Sequence, residues 1–430
     1  MEWFVALTVF IIILLLLIFP GMWIAVTLGV TGLLGLLITG HIDRIHAIGN
    51  IGWNTSNDFI LTSIPLFVFM GEVILLSGLS ANFYKAFAKW TRFIPGSLLH
   101  SNILACAMFS AISGSSVATA AGIGSVAIPE MKKYGYRKPM IYGSIASGGT
   151  LGILIPPSIV LILYGAMVQE SVVKLFSAAL VPGIVLTAMF LLYTLTAMLF
   201  KKNRVDAVHT SDLTVWQSIK GTFPLILLIV LVLGSLYTGK VTPTEAAALG
   251  AFLSILIGWF LGDLNLRKIV QAAFNAAKTS SMLLFIMIGA QIFSFAVVTS
   301  GINRALTSWI SESGFPPLLL LTIVSLIYIV LGFFMDGPSM MILTIPLLYP
   351  VVVNAGFDSV WFGVILVILI ELGQITPPMG LNLFMIKSID KESTMKEVVA
   401  GAMPYICLML ALIVILTMFP QIALWLPNLS

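Results

Sequence analysis

Asp336 has the strongest claim to chemistry of any side chain in this sequence. It ends an uncharged run from Leu318 to Met335 and opens the breaker Asp336-Gly337-Pro338-Ser339. An ionised carboxylate at membrane depth is costly, so it marks a functional position by default. One carboxylate among neutral oxygens suits a monovalent cation such as Na⁺ and leaves room for charge-coupled movement. The competing account, a loop aspartate at the surface, fits poorly with an apolar run of that length.

A second polar breaker, Ser113-Gly114-Ser115-Ser116, opens a stretch rich in Gly, Ser, Ala and Thr that runs to Gly124. Non-helical backbone at membrane depth must be buried in protein or line a cavity. The stretch reads as the tip of a helix–turn–helix over about 101–130, entering from one side and returning to it. Such a tip offers hydroxyls, carbonyls and a helix N-terminus, which suit a hard cation and a carboxylate. The bland alternative is small residues that merely let helices pack closely.

Two double prolines complete the set, Ile155-Pro156-Pro157 and Thr376-Pro377-Pro378. Proline lacks the N–H and clashes with the preceding turn, so each pair breaks a spanning helix. The carbonyls of Gly152, Leu154, Ile155 and Gly373 to Thr376 are then expected to lose intrahelical partners and to face a cation. Glu371 lies on the second broken helix and is expected close to this cage. Glu72 is expected to pair among supporting helices, and either acid leaves proton coupling open. His41, His46, His100 and His209 do not cluster and have no partnered Cys, so a metal centre is not expected. Cys106 and Cys407 read as small buried residues. There is no Gly-x-x-x-x-Gly-Lys-Ser/Thr for direct ATP drive and no Gly-x-Ser-x-Gly elbow, and nothing points to an enzyme.

The elements that position these residues occur twice. In each half a polar breaker is followed by an Ile-Pro, at Pro129 and Pro346, and then by a double proline. Gly71 and Gly289 are 218 residues apart, Pro129 and Pro346 are 217, and Pro156 and Pro377 are 221. Three landmarks in order at nearly constant offset argue for duplication. The halves are read as 55–200, with its break at 155–157, and 275–425, with hairpin two at about 318–348 and its break at 376–378. N-terminal helices occupy 1–54, and linking helices with a surface arm occupy 201–274. Broken segments at matching places in two halves point to a secondary transporter's site.

Composition fixes the class. Hydrophobic residues make up 59% of the chain and charged residues 9%, with a mean hydropathy of +1.10. So few charges cannot cover a soluble protein of 430 residues. Runs such as Leu175–Leu199, Met282–Val298 and Val398–Met418 are of spanning length, and about ten to twelve spanning or re-entrant segments fit. The +4 net charge reflects loop bias rather than nucleic-acid binding. Met1-Glu2 gives no positive region before the run Trp3–Phe19, so a cleaved signal is not expected.

Charge also orients the halves. Lys85, Lys89 and Arg92 in half one face only Arg304 at the matching place in half two. Lys132, Lys133, Arg137 and Lys138 face a loop without Lys or Arg, and beyond the double proline the bias reverses to Lys387, Lys391 and Lys396. Basic loops face the cytoplasm, so the halves are inverted, with both termini outside and Lys201-Lys202-Asn203-Arg204 inside. Ala81–Phe93 and Leu264–Lys278 read as helices along the membrane surface. The expected fold is an all-α polytopic inverted-topology repeat with two re-entrant hairpins.

Taken together, Ser-Gly-Ser-Ser-Val-Ala-Thr at 113–119, Ile-Pro-Glu-Met at 128–131, Tyr-Gly-Tyr at 134–136, Gly-Ile-Leu-Ile-Pro-Pro-Ser at 152–158, Met-Asp-Gly-Pro-Ser at 335–339 and Gln-Ile-Thr-Pro-Pro-Met-Gly at 374–380 are specific. The chain resembles the large membrane subunit of the tripartite ATP-independent periplasmic (TRAP) transporters, of DctM or SiaM type, over essentially its whole length. The resemblance implies an elevator mechanism, in which a transport domain holding both hairpins slides against a scaffold. It implies Na⁺ as coupling ion with no other cofactor, and residence in the bacterial inner membrane. It also implies two partners, a separate small four-helix membrane subunit and a periplasmic substrate-binding protein.

One sodium site carries over by resemblance onto Ser113, Ser115, Gly152, Ile155 and Pro157, and a second onto Asp336, Gln374, Thr376 and Met379. The implied cargo is an organic acid, with sialic acid slightly ahead of C4-dicarboxylates. Its carboxylate is expected near Ser115, Ser116 and Thr119 and near Pro338 and Ser339. The alternative is a stand-alone Na⁺- or H⁺-coupled carboxylate symporter, or an ion antiporter, of related inverted-repeat fold.

Overall fold

The computed structural model describes residues 2–200 and 214–429. Met1, Ser430, the basic segment Lys201-Lys202-Asn203-Arg204 and His209 lie outside the described residues. Among the described residues the regular structure is helical throughout. A chain this apolar must satisfy its backbone polar groups within each segment, and helices do so. Seven helices are long and apolar enough to cross a membrane, or up to eight if a bent pair is one span. Shorter apolar helices accompany them, including Trp3–Ile18, Ile24–Ile38 and Pro317–Leu331.

The duplication extends to element lengths. Hairpin one is Ser97–Ser113 and Ser116–Lys133, of 17 and 18 residues; hairpin two is Pro317–Leu331 and Gly337–Asn354, of 15 and 18. The first broken helix is Lys138–Leu154 with Ile159–Val168, of 17 and 10 residues; the second is Ser359–Ile375 with Leu381–Ile389, of 17 and 9. A long helix closes each half, Val172–Leu199 and Met395–Met418.

Reciprocal contacts show the inversion. Tyr142, at the start of the first broken helix, donates its hydroxyl to Asp390 Oδ2 at the end of the second, 2.6 Å away. Tyr164, at the end of the first, donates to the Ser359 carbonyl at the start of the second, at 2.7 Å. The two broken helices therefore run antiparallel, with their breaks meeting near the middle.

The halves also exchange supports. Pro243–Leu261, which precedes half two, packs on Ser63–Leu76 of half one. Ile24–Ile38, which precedes half one, packs along Leu266–Thr299 of half two. Ser63–Leu76 bends by 70° into Leu79–Trp90. Gly78, at φ +74°, makes that bend in a conformation unfavourable for other residues.

Four expectations need correction. Leu264–Lys278 is not a separate surface helix. It belongs to the continuous 34-residue helix Leu266–Thr299, because no proline interrupts the stretch. The domain limits at 54/55 and 274/275 fall inside helices, Ala47–Ser56 and Leu266–Thr299. Hairpin two runs on to Asn354 because Pro346 and Pro350 are accommodated within its second helix. Cys106 is buried, but Cys407 is exposed.

Candidate functional site

Hairpin one turns at Gly114, whose φ of +58° ends the first helix. Ser115 then caps the second helix, its hydroxyl accepting the Ala118 amide at 3.4 Å. The first break seats against this tip. A methyl group on Gly152 would stand 2.6 Å from the Ser115 carbonyl oxygen and 2.8 Å from the Ser116 amide nitrogen. A methyl on Gly114 would stand 3.0 Å from the Pro157 carbonyl oxygen. Ser113, Ser115, Gly152 and Pro157 are thus brought together through close glycine contacts that leave little room for a larger residue. Ile155 caps the broken helix and is half-buried, with its side chain towards Gly183.

Hairpin two places Asp336 at the N-cap of Gly337–Asn354, close to the Ser339 hydroxyl and amide. No ion pair to Asp336 exists among the described residues. Gly337 lies against Gln374, where a methyl would stand 2.7 Å from the amide nitrogen, and against Ile370 and Ile153. Asp336 and Gln374 therefore share a wall with the first break. Thr376 turns its hydroxyl back to the Leu372 carbonyl at 2.5 Å. Met379 points its side chain outward at 47% exposure and does not reach the cavity. The Gly373 carbonyl, expected to be free, accepts the Thr376 amide at 3.4 Å.

Both tips face one cavity of about 440 Å³. Ser113, Ser115, Ser116, Asp336, Pro338 and Gln374 line it, with Glu72 and Thr279 on the opposite side. Ser339 lines an adjoining cavity of about 1040 Å³, which shares Glu72, Thr279, Met282 and Asp336 with the first. Thr119 lines neither; it is buried and its hydroxyl bonds Ser113 Oγ at 2.7 Å. Two helix N-termini, at Ser116 and Gly337, thus meet at one cavity. Their partial positive charge and free amides favour an anion there.

The oxygens around the two tips come from hydroxyls, carbonyls, one carboxylate and one amide, the donor types a hard cation takes. Gln374 Oε1 fits such a role, because it is buried without a hydrogen-bond partner. Four residues before each proline of the two pairs stand Gly152, Ile153, Gly373 and Gln374, whose carbonyls lose the usual helical donor.

Sequence reasoning missed three contributors. Asn382, on the half-helix beyond the second break, donates to Ser116 Oγ at 2.6 Å and so ties hairpin one to half two. Lys132, at the end of hairpin one, pairs with Asp390 at 2.6 Å. Asn275 donates to Glu72 Oε2 at 2.8 Å, the supporting pair that was expected for Glu72 without a partner being named. Only the position of Asn382, a few residues beyond Pro377-Pro378, offered a signal.

The fold and the site define a membrane transporter built from an inverted repeat, with a cavity where its two hairpins meet. The chain belongs to the family of the DctM component of the tripartite ATP-independent periplasmic transporters, whose model matches residues 11–422. It is 33% identical over 404 residues to the C4-dicarboxylate TRAP transporter large permease protein DctM of Pseudomonas aeruginosa, covering 94% of each chain. It is 28% identical over 414 residues to the sialic acid TRAP transporter large permease protein SiaM of Vibrio cholerae, covering 96% of each. Among solved structures, the YdaH transporter of Alcanivorax borkumensis shares the fold. Its TM-score is 0.65, at 15% identity over 91% of each chain.

Proposed function

We propose that this chain is the large permease of a Na⁺-coupled uptake system for a small organic acid, working in a bacterial cytoplasmic membrane with a small membrane subunit and a periplasmic binding protein. The observation that carries the proposal is the meeting of both hairpin tips, with residues flanking both proline breaks, at one cavity lined by Asp336 and by Gln374, whose side-chain oxygen has no partner. Cations would be held at the breaks, by Ser113, Ser115 and the carbonyls of Gly152, Ile155 and Pro157, and by Asp336, Gln374, Thr376 and the carbonyl of Met379. Ordering of the tips by Na⁺ would set the N-termini at Ser116 and Gly337 to take the substrate carboxylate. Ser116, held by Asn382, and Pro338 stand where that carboxylate would bind.

The place of the cavity supports an elevator movement. One wall belongs to the hairpins and breaks, and the other to Ser63–Leu76 and Leu266–Thr299. Sliding the first group against the second would carry the site across the bilayer. On cargo, the higher identity to a C4-dicarboxylate permease, 33% against 28%, moves the expectation from sialic acid to a C4-dicarboxylate.

The test is uptake into proteoliposomes holding this chain and its small subunit, offered labelled succinate and sialic acid with and without an inward Na⁺ gradient and the binding protein. Uptake that needs both Na⁺ and the binding protein is expected, with succinate preferred. Uptake without the binding protein would make this a stand-alone symporter and would remove the partners from the account.

A further inference from the structure

Glu371 is fully buried at the crossing of the two broken helices. Neither carboxylate oxygen completes a hydrogen bond, and the polar groups turned towards it are the backbone amides of Ile153 and Leu154. No cation pairs with it, since the ion pairs among the described residues are Lys132 with Asp390 and Glu392, and Lys133 with Glu130. Kept ionised, a carboxylate buried without a counter-charge would be among the most costly groups a membrane protein can hold. Its surroundings give it a purpose. Ile153 and Leu154 lie between Gly152 and Ile155, the carbonyl positions of the first break. Glu371 itself stands three residues before Gln374 and five before Thr376, the positions of the second.

We propose that Glu371 is a positioning residue that couples the two breaks. Its carboxylate sets the backbone of 153–154 from one half against the helix that carries Gln374 in the other. Cations bound at the two breaks are its counter-charge, so filling one break favours filling the other. The inference rests on the sodium reading given above. Neither Ile153 nor Leu154 offers a side chain that could take over, and the isosteric Gln keeps the shape while removing the charge.

The experiment measures the Na⁺ dependence of Glu371→Gln by two routes. One is uptake in proteoliposomes. The other is Na⁺-induced thermal stabilisation of the purified protein, with choline replacing Na⁺ as control; a ligand that binds only the folded state raises the melting temperature with concentration. Wild type is expected to show a Hill coefficient above one for Na⁺. Glu371→Gln is expected to need about tenfold more Na⁺ in both assays, with a Hill coefficient near one and the substrate KM at saturating Na⁺ within about twofold of wild type. Glu371→Asp keeps the charge but withdraws it by one methylene, and is expected to need at least about threefold more Na⁺. It also serves if the Gln variant does not fold. Unchanged Na⁺ titrations in either variant overturn the coupling role. A wild type that responds to Na⁺ in neither assay overturns the sodium reading instead.

Discussion

Gly152→Ala tests a place where the structure leaves little room beside the first hairpin tip. The added methyl would stand 2.6 Å from the Ser115 carbonyl oxygen, 2.7 Å from its carbon and 2.8 Å from the Ser116 nitrogen. All three are backbone atoms of the hairpin tip, so no side-chain rotation relieves the contact. Ordinary contact begins at 3.4 Å, which leaves the tip to retreat by about 0.8 Å. Forcing an extra methyl into a packed interior costs roughly 1–3 kcal/mol. A misplacement near 1 Å at a reacting or binding centre costs on the order of 100-fold in rate. The variant is therefore expected to fold with a lowered melting temperature and to take up substrate about 100-fold more slowly. Gly234→Ala is the control, because nothing lies within 4 Å of a methyl there. Size-exclusion profile, melting temperature and initial uptake rate are measured on both. Wild-type uptake and Na⁺ dependence in Gly152→Ala would refute the idea that the first break seats the hairpin tip.

Other expectations follow from the same geometry. Asp336→Ala is expected to abolish Na⁺-driven uptake in a protein that still folds. A charge pair at 4 Å is worth about 4 kcal/mol in a protein-like dielectric, or roughly 1,000-fold in affinity, and retained uptake with unchanged Na⁺ dependence would sink the assignment. Ser115→Ala removes a cap worth about 1 kcal/mol and a hydroxyl at the tip, and is expected to raise the Na⁺ needed for half-maximal uptake about five- to tenfold; an unshifted titration counts against Ser115 as a ligand.

Asp390 gives a pH signature away from the cavity. Burial pushes its carboxyl up, but the Lys132 ammonium and the Tyr142 hydroxyl outweigh this and hold it below the usual range. A depressed acid contributes stability above its unfolded value, near 3.9, and loses it as pH falls through the lower folded value. Melting temperature is therefore expected to fall more steeply below about pH 4 in wild type than in Asp390→Asn, which is already weaker at neutral pH. Parallel curves would mean that the pair adds nothing.

Much of this fold was legible because proline and glycine act locally. Pro156-Pro157 and Pro377-Pro378 break helices wherever they stand, and the polar breakers at Ser113 and Asp336 mark tips without any knowledge of neighbours. Loop charges gave the inversion before any contact was known. What stayed hidden depended on distant partners. Asn382 bonds Ser116 from 266 residues away, and nothing local in Gly-Leu-Asn-Leu announces it. Thr119 looks like a cavity hydroxyl in sequence but is taken up by Ser113, one turn across the hairpin. Met379 shows the limit for backbone positions, since a carbonyl can face a site while its side chain faces away. Leu264–Lys278 misled because charge on one face resembles a surface helix, although the same face belongs to a continuous helix whose other side packs inward.

The central claim is that the two breaks and the two hairpin tips form cation sites. Equilibrium binding of radioactive ²²Na⁺ to the purified protein tests it most directly, in wild type, Gly152→Ala and Asp336→Ala. Saturable binding is expected in wild type, with one class of sites lost or weakened in each variant. No saturable binding, or identical isotherms in all three proteins, would contradict the account.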